Sequence, residues 1–377
     1  MIKFKSIIIA FFSVIVIFDL IFIFSPKKVF SEQENRPLQS FPTLNRETIS
    51  DGTATQDIEK FISDHFPLRD QWITGKAAIE YLLGKRVSNN VYYGKNGQLF
   101  AVFNEPAYND LDMKLQWINS FKNDVSIPVY FSLIPGASCI LTDYLPDNAP
   151  IDMQDSVINY CYQGTQTTSI DLRDALKQHK NEYIYYKTDH HWSSYGAFLG
   201  YQKLINELKG NDYFENQDRT YNIENVNSEF YGTLYSSSGY TWVSPDIISK
   251  YGINDSIIEK TYINGIDQEP LIHGLYFDEN LNIKDKYQYY LGGISPLIHI
   301  TNTSVESPSS LLIIRDSYSD CLAPFLAQDY SDVYLIDLRY YKSSIKQFLN
   351  ENSIDQVLIM YSVSNFSEDK NLGFLIG

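Results

Sequence analysis

The chain has 377 residues and a formal net charge of −16, with 46 Asp and Glu against 30 Lys and Arg. That length suffices for a sizeable core in one large domain or two ordinary ones. The acidic balance, with no long Lys/Arg run, argues against a nucleic-acid binder. Cys139, Cys161 and Cys321 stand far apart with no CxxC pattern, which speaks against a zinc ribbon or dithiol redox motif.

Residues 6–25, SIIIAFFSVIVIFDLIFIFS, form a 20-residue apolar run with one charge, Asp19. At the helical rise this run spans roughly 30 Å, the hydrocarbon thickness of a bilayer. Lys3 and Lys5 precede it, and no small-x-small cleavage site follows. The expectation is an uncleaved signal anchor within residues 1–30. Lys27 and Lys28 lie just beyond it, so flanking charge does not fix the orientation. Asp19 either meets a partner helix or sits near the interface.

Residues 26–54 are polar, carry Pro37 and Pro42, and read as a linker. From Thr55 to Gly84, Ile58, Phe61, Ile62, Trp72, Ile73, Ala77, Tyr81 and Leu82 recur at helical spacing, with Pro67 breaking or starting a helix. VYYGKNGQLF predicts a hairpin about Asn96-Gly97. IPVYFSLIP (127–135) is a continuous apolar run, as in a buried parallel strand. Helical patterns lie at 110–122 and about 153–162. EYIYY (182–186) predicts a strand, and YGAFLGYQKLINEL (195–208) an amphipathic helix. Residues from about 210 to 305 are irregular and rich in Asn, Asp, Ser and Tyr. SLLIIRDS, DVYLIDL and IDQVLIMYS then read as strands, alternating with the helices CLAPFLAQ and KSSIKQFLNEN. This alternation predicts an α/β fold with a parallel sheet covered on both faces.

Ligands of such sheets bind beyond the carboxyl ends of the strands. Two polar clusters fall there. In RDSYSD, Ser317 follows a strand and opens a turn, where free N–H groups favour an oxyanion. The same position also suits helix capping by Asp316 or Ser317. In TDHHW, Asp189 and His191 are two apart, so both side chains can point one way while His190 points away. An Asp that accepts from one imidazole nitrogen leaves the other free as a base. The alternatives are capping by Asp189 or Ser193 with both histidines at the surface, or a metal site, for which adjacent His is poor ligand spacing. A base without a nucleophile and a serine without a base complement one another. Together they suggest a Ser-His-Asp triad in chain order Asp, His, Ser.

TDHHW, RDSYS, SEQENRPLQSFP, VYYGKNGQLF and LRYYK resemble the DHHW family, bacterial surface proteins akin to the SGNH-hydrolase-like alginate O-acetylation proteins. The similarity runs from about residue 31 to 366. It implies an SGNH-like (flavodoxin-like) parallel sheet flanked by helices, with the Asp-His block before the serine as in the permuted branch of that group. It implies Asp189 as orienter, His191 as base and Ser317 as nucleophile, with Ser319 the alternative. RDS stands here where the SGNH pattern has GDS. The Ser317 N–H is the first oxyanion donor; Asn365, Gly292 and Gly293 are candidates for the others. Arg339 is a candidate for holding a substrate oxygen, the alternative being a surface salt bridge, and Trp192 joins the candidate substrate contacts. FYGTLYSSSGY (230–240) lines a sugar cleft or is a flexible insertion.

The sequence reading is therefore an anchor at 1–30, a linker with helical and hairpin arm at 31–100, and an SGNH-like catalytic domain at 101–377 with an insertion at about 210–305. The expected function is O-acetyl transfer to, or removal from, a cell-surface or secreted polysaccharide, by an extracellular domain on a single-pass membrane anchor. No metal or organic cofactor is implied. The resemblance suggests a membrane-bound O-acyltransferase as partner and acetyl source. The alternative is a non-catalytic polysaccharide-binding protein of an acetylation or export complex.

Overall fold

The computed structural model describes residues 2–31, 36–150, 152–217, 219–252, 260–264 and 271–376. Parts of the SEQENRPLQSFP motif (32–35) and of the expected insertion (218, 253–259, 265–270) lie outside the described residues. The chain divides into two compact units, residues 1–89 with 235–242, and residues 90–234 with 243–377.

The first unit carries the apolar helix Ile2–Phe24 and the amphipathic helices Thr53–Asp64 and Arg69–Leu82. Pro67 falls in the break between the latter two, as its missing N–H and fixed φ dictate.

The second unit is built on an eight-stranded sheet. Its strands are β1 (Val129–Ile134), β2 (Thr168–Ser169), β3 (Lys260–Asn264), β4 (Leu271–His273), β5 (Leu297–Thr301), β6 (Ser310–Arg315), β7 (Asp332–Ile336) and β8 (Gln356–Ser362). Their spatial order is β4-β3-β5-β7-β6-β8-β1-β2. The five strands from β7 to β2 are parallel. β5, β3 and β4 extend the β7 edge antiparallel. Counted from β6 onward and returning to β1, the parallel strands stand in the order 2-1-3-4-5. That is a circularly permuted flavodoxin-like order, whose switch point falls between β6 and β8.

The apolar runs follow from burial on both faces. Leu311 and Ile313 of β6 join one core with Leu335, Leu358 and Trp192. Leu312 and Ile314, one residue out of phase, join the other with Phe131, Ile336 and Ile359. Each such fully buried aliphatic contributes about 1.5–3 kcal/mol.

The Asn96-Gly97 hairpin forms as expected, pairing Val91–Tyr93 with Leu99–Ala101, and both turn residues have positive φ (57° and 75°). The EYIYY strand does not form. The segment folds back on itself, with Tyr186 N–H donating to the His191 carbonyl, Ser193 N–H to Ile184, and a lone bridge pairing Tyr185 with Trp192. These bonds close a short hairpin, the Tyr186 carbonyl accepts from the Gln98 amide at 2.8 Å, and β2, not foreseen, borders β1 instead. The helix expected at CLAPFLAQ shrinks to Ala323–Leu326.

Candidate active site

Ser317 sits at the carboxyl end of β6, in the single 3-10 turn Ser317–Ser319. Every residue from Ser310 to Tyr330 is buried except Ser317. The capping role falls to its neighbour: the Asp316 carboxylate accepts from the Tyr318 N–H at 3.0 Å. The Ser317 hydroxyl is thereby left for another partner. Arg315 turns away into the core and pairs with Asp320 at 2.6 Å, which accounts for an arginine where a glycine was expected.

A similar division of labour holds at TDHHW. The Ser193 hydroxyl caps the Ser194–Lys209 helix by accepting from Gly196 N–H at 3.2 Å, which leaves Asp189 uncommitted to it. His191 Nδ1 lies 2.6 Å from Asp189 Oδ1, and His191 Nε2 lies 2.8 Å from Ser317 Oγ, across 126 positions of sequence. The carboxylate accepts only, so Nδ1 carries the proton and Nε2 accepts from the serine hydroxyl. Both distances are those of good hydrogen bonds.

Asp189 is itself held. Its Oδ1 also accepts from the His191 N–H at 3.0 Å, and its Oδ2 accepts from the Thr233 N–H at 2.8 Å and hydroxyl at 3.1 Å. Burial alone raises its carboxyl. The charges of His190 and His191, the His191 hydrogen bond and the Thr233 N–H outweigh this and hold it well below the usual carboxylate range. Gly232 makes the approach possible, because a Cβ there would lie 2.3 Å from Asp189 Cβ and Oδ2. Asp246, also buried, accepts from the N–H groups of Lys187 and Thr188 and fixes the start of the loop. Gly232 and Thr233 come from the segment 230–240 expected to line a cleft or to be flexible, and there it supports the carboxylate.

His191 lies between two aromatic rings. Tyr287 stacks flat on it with centroids 3.8 Å apart and planes 8° apart, and Tyr318 is tilted at 4.8 Å. The Tyr287 hydroxyl donates to the Ser317 carbonyl at 3.0 Å, and burial keeps that phenol protonated. His190 does not point away as the spacing suggested: its ring packs beside that of His191 with centroids 3.9 Å apart, its Nδ1 lying 3.5 Å from Asp189 Oδ1 and donating to Thr233 Oγ1 at 2.7 Å. Burial, then the charge of His191, push its imidazole down to about 4. Asp189, His190 and His191 bring possible metal-ligating atoms within 4.8 Å of one another. The Asp189 oxygens, both His191 nitrogens and His190 Nδ1 are already engaged by protein groups.

The remaining candidates take other places. Ser319 is fully buried and donates to the Asp316 carbonyl at 2.6 Å, so it is no alternative nucleophile. Trp192 is not a substrate contact: it is fully buried, packs on Gly200, and donates from Nε1 to the Tyr318 carbonyl at 3.0 Å. It ties the histidine loop to the serine turn. Gly292 and Gly293 have φ of +77° and +92°, and a side chain at either would strike Phe277 or Gln288. They serve a turn, and no hydrogen bond joins them to Ser317, His191 or Asp189 among the described residues. Asn365 donates from its amide to Asp316 Oδ2 at 2.8 Å, beside the Ser362 N–H and hydroxyl. Arg339 makes a forked pair with buried Asp337, Nε to Oδ1 at 2.9 Å and Nη2 to Oδ2 at 2.7 Å. Arg339 and Asn365 nevertheless line a cavity of about 300 Å³ with Asp316 and Tyr361, at the ends of β6, β7 and β8. The Tyr361 hydroxyl, buried there, has no protein partner among the described residues.

The family model described as DHHW protein matches residues 118–336, more than half of the chain, and the chain belongs to the DHHW family. A DHHW family protein from Eubacterium siraeum superposes with a TM-score of 0.65 at 22% identity, over 76% of this chain and 95% of that one. Bacillus cereus PatB1, solved with a sulfonyl adduct, gives 0.63 at 22% identity over 75% and 97%. A second PatB1 structure gives 0.62 at 23% identity over 74% and 97%. These similarities establish a common α/β fold with a mainly parallel central sheet. No curated protein matches the chain by sequence.

Proposed function

We propose that this protein is a serine-dependent O-acetyltransferase or acetylesterase acting on a cell-surface or secreted polysaccharide. The observation that carries the reading is the continuous relay from Asp189 Oδ1 through the His191 ring to Ser317 Oγ, at 2.6 and 2.8 Å. In this mechanism Ser317 Oγ attacks the acetyl carbonyl while its proton passes to His191 Nε2. Asp189, ionised and buried, stabilises the imidazolium through Nδ1–H. The Ser317 N–H, at the start of its turn, faces the developing oxyanion. His191 then returns the proton to the leaving group, which departs and leaves an acetyl ester on Ser317. An acceptor hydroxyl of the glycan, or water, gives its proton to Nε2 and attacks that ester, releasing Ser317.

The acetyl group and the polysaccharide come from the motif resemblance to alginate O-acetylation proteins. In this reading the cavity lined by Arg339, Asn365 and Asp316, the residue next to Ser317, receives the sugar. The helix Ile2–Phe24 is long and apolar enough to cross a membrane. In this reading it anchors an extracellular catalytic unit, with a membrane-bound O-acyltransferase supplying acetyl groups.

The experiment is hydrolysis of a chromogenic acetyl ester, with and without added oligosaccharide. Acetylated sugar in the acceptor reaction marks a transferase, and release of acetate alone marks an esterase. Glycan binding that persists in wild type and Ser317→Ala, with turnover in neither, would replace the proposal with a binding protein.

A further inference from the structure

The apolar window of the N-terminal helix runs from Lys5 to Phe24. Within it every side chain is exposed except Phe18 and Phe22, which are partly covered. They are four apart and so share one helical face. The Phe18 ring stacks on Phe66, centroids 5.7 Å apart, and approaches Trp72 at 6.2 Å. Phe22 meets the edge of Phe61 at 6.1 Å. His65 Nε2 lies 3.0 Å from the Lys28 carbonyl and Nδ1 2.9 Å from the Phe61 carbonyl, so the ring holds the turn against the end of the apolar helix through whichever nitrogen carries its proton.

These contacts set a depth. Phe18 lies six residues before Phe24, about 9 Å along the helix axis. A helix that crosses the bilayer with this window therefore carries Phe66 and Trp72 into the outer part of the acyl-chain layer, about 9 Å or less from the headgroups. The turn has the composition of that zone. Phe66, Leu68 and Trp72 are 43%, 59% and 57% exposed. Leu68 adopts φ +59°, a left-handed conformation that leucine rarely takes, and in doing so holds its side chain outward. In water this strained, outward leucine gains nothing. Lys27, Lys28 and Arg69 line one cavity of about 560 Å³ with Ile21, Phe66 and Leu68, while Asp64 and Asp70 share its wall. Aromatic and basic side chains together mark the membrane interface.

We propose that the helix pair Thr53–Asp64 and Arg69–Leu82 is a lipid-surface element, whose connecting turn and Trp72 lie just beneath the headgroups, at the outer end of the acyl chains, in the leaflet on the Phe24 side. The chain is then held at the membrane by an embedded turn as well as by its anchor. This rests on reading Ile2–Phe24 as a membrane anchor.

The test uses the full chain in vesicles of phosphatidylcholine and phosphatidylglycerol, some brominated near the headgroup end of the acyl chain and some near the methyl end. Quenching in Trp72→Phe is subtracted from wild type, which cancels Trp117, Trp192 and Trp242. The expected result is a Trp72 component quenched more by the shallow bromines than by the deep ones. Because the three native cysteines are buried, Leu68→Cys with an environment-sensitive label gives an independent readout, expected to shift to the blue. Identical quenching in the two proteins, with an unshifted label, would overturn the proposal. Trp72 would then face water or another protein. Vesicle flotation separates the causes: a chain that floats without Trp72 quenching retains its anchor and loses only the lipid-facing turn. A chain that fails to float loses both.

Discussion

Tyr287 lies flat against His191, with ring centroids 3.8 Å apart and an interplanar angle of 8°, while its hydroxyl donates to the Ser317 carbonyl. One side chain thus holds the imidazole plane and the serine turn together. Tyr287→Phe keeps the ring and removes the hydrogen bond, with an expected loss of about 1 kcal/mol of stability and a modest fall in ester turnover. Tyr287→Ala opens a cavity beside His191, with a loss of about 3–5 kcal/mol and a much larger fall in kcat. Urea denaturation and ester kinetics on both variants check the split.

Asp189→Asn leaves the geometry in place and reverses the tautomer preference of His191, since an amide that donates to Nδ1 places the proton on Nε2. The expected loss is about 10⁴-fold in kcat, with little change in KM. Thr233→Ala removes the hydroxyl donor to Asp189 but keeps the backbone N–H, and its loss is expected to be far smaller.

His190 is held down to about 4 from its ordinary 6.5, first by burial and then by the charge of His191. Between those values the unfolded chain takes a proton that the folded chain refuses. The stability this group contributes is therefore complete above pH 6.5 and is lost as pH falls toward 4. His190→Gln is expected to flatten the decline in urea midpoint between pH 7 and pH 5, and to retain most of the ester turnover. Equal loss of turnover at His190→Ala and His191→Ala would contradict the separate roles of the two rings.

Gly232→Ala would set a methyl group 2.3 Å from Asp189 Cβ and Oδ2. The backbone must move, and the Thr233 N–H moves with it. Destabilisation of about 1–3 kcal/mol is expected, with a fall in turnover exceeding that of the same change at exposed Gly274, where a methyl group meets nothing within 4 Å.

The parallel part of the sheet was legible because burial on both faces demands unbroken apolar runs, and β1, β6, β7 and β8 show them. The Asp189-His191 spacing and the serine after β6 were legible for the same reason: each follows or faces an element with a clear pattern. The supports of the site were not. Gly232, Thr233, Asp246 and Tyr287 sit in a stretch without periodicity, and they act by single long-range hydrogen bonds or one stacked ring. Trp192 reads from sequence as a candidate substrate contact, yet it is fully buried and its indole bonds to Tyr318 across 126 positions. EYIYY has strand composition, but it folds into the short hairpin that presents His191. The permuted strand order explains the rest: joining β6 to the sequence after β2 places the histidine block ahead of the serine while the two meet at one rim.

The central claim is that Ser317 becomes acylated with His191 as its base. The direct measurement is intact mass and peptide mapping of the protein quenched during turnover of an activated acetyl ester, with a sulfonyl fluoride as a second reagent. One acetyl or sulfonyl group on Ser317, absent from Ser317→Ala and greatly slowed in His191→Ala, is the predicted result. Modification at another residue, or at an undiminished rate in either variant, would contradict it.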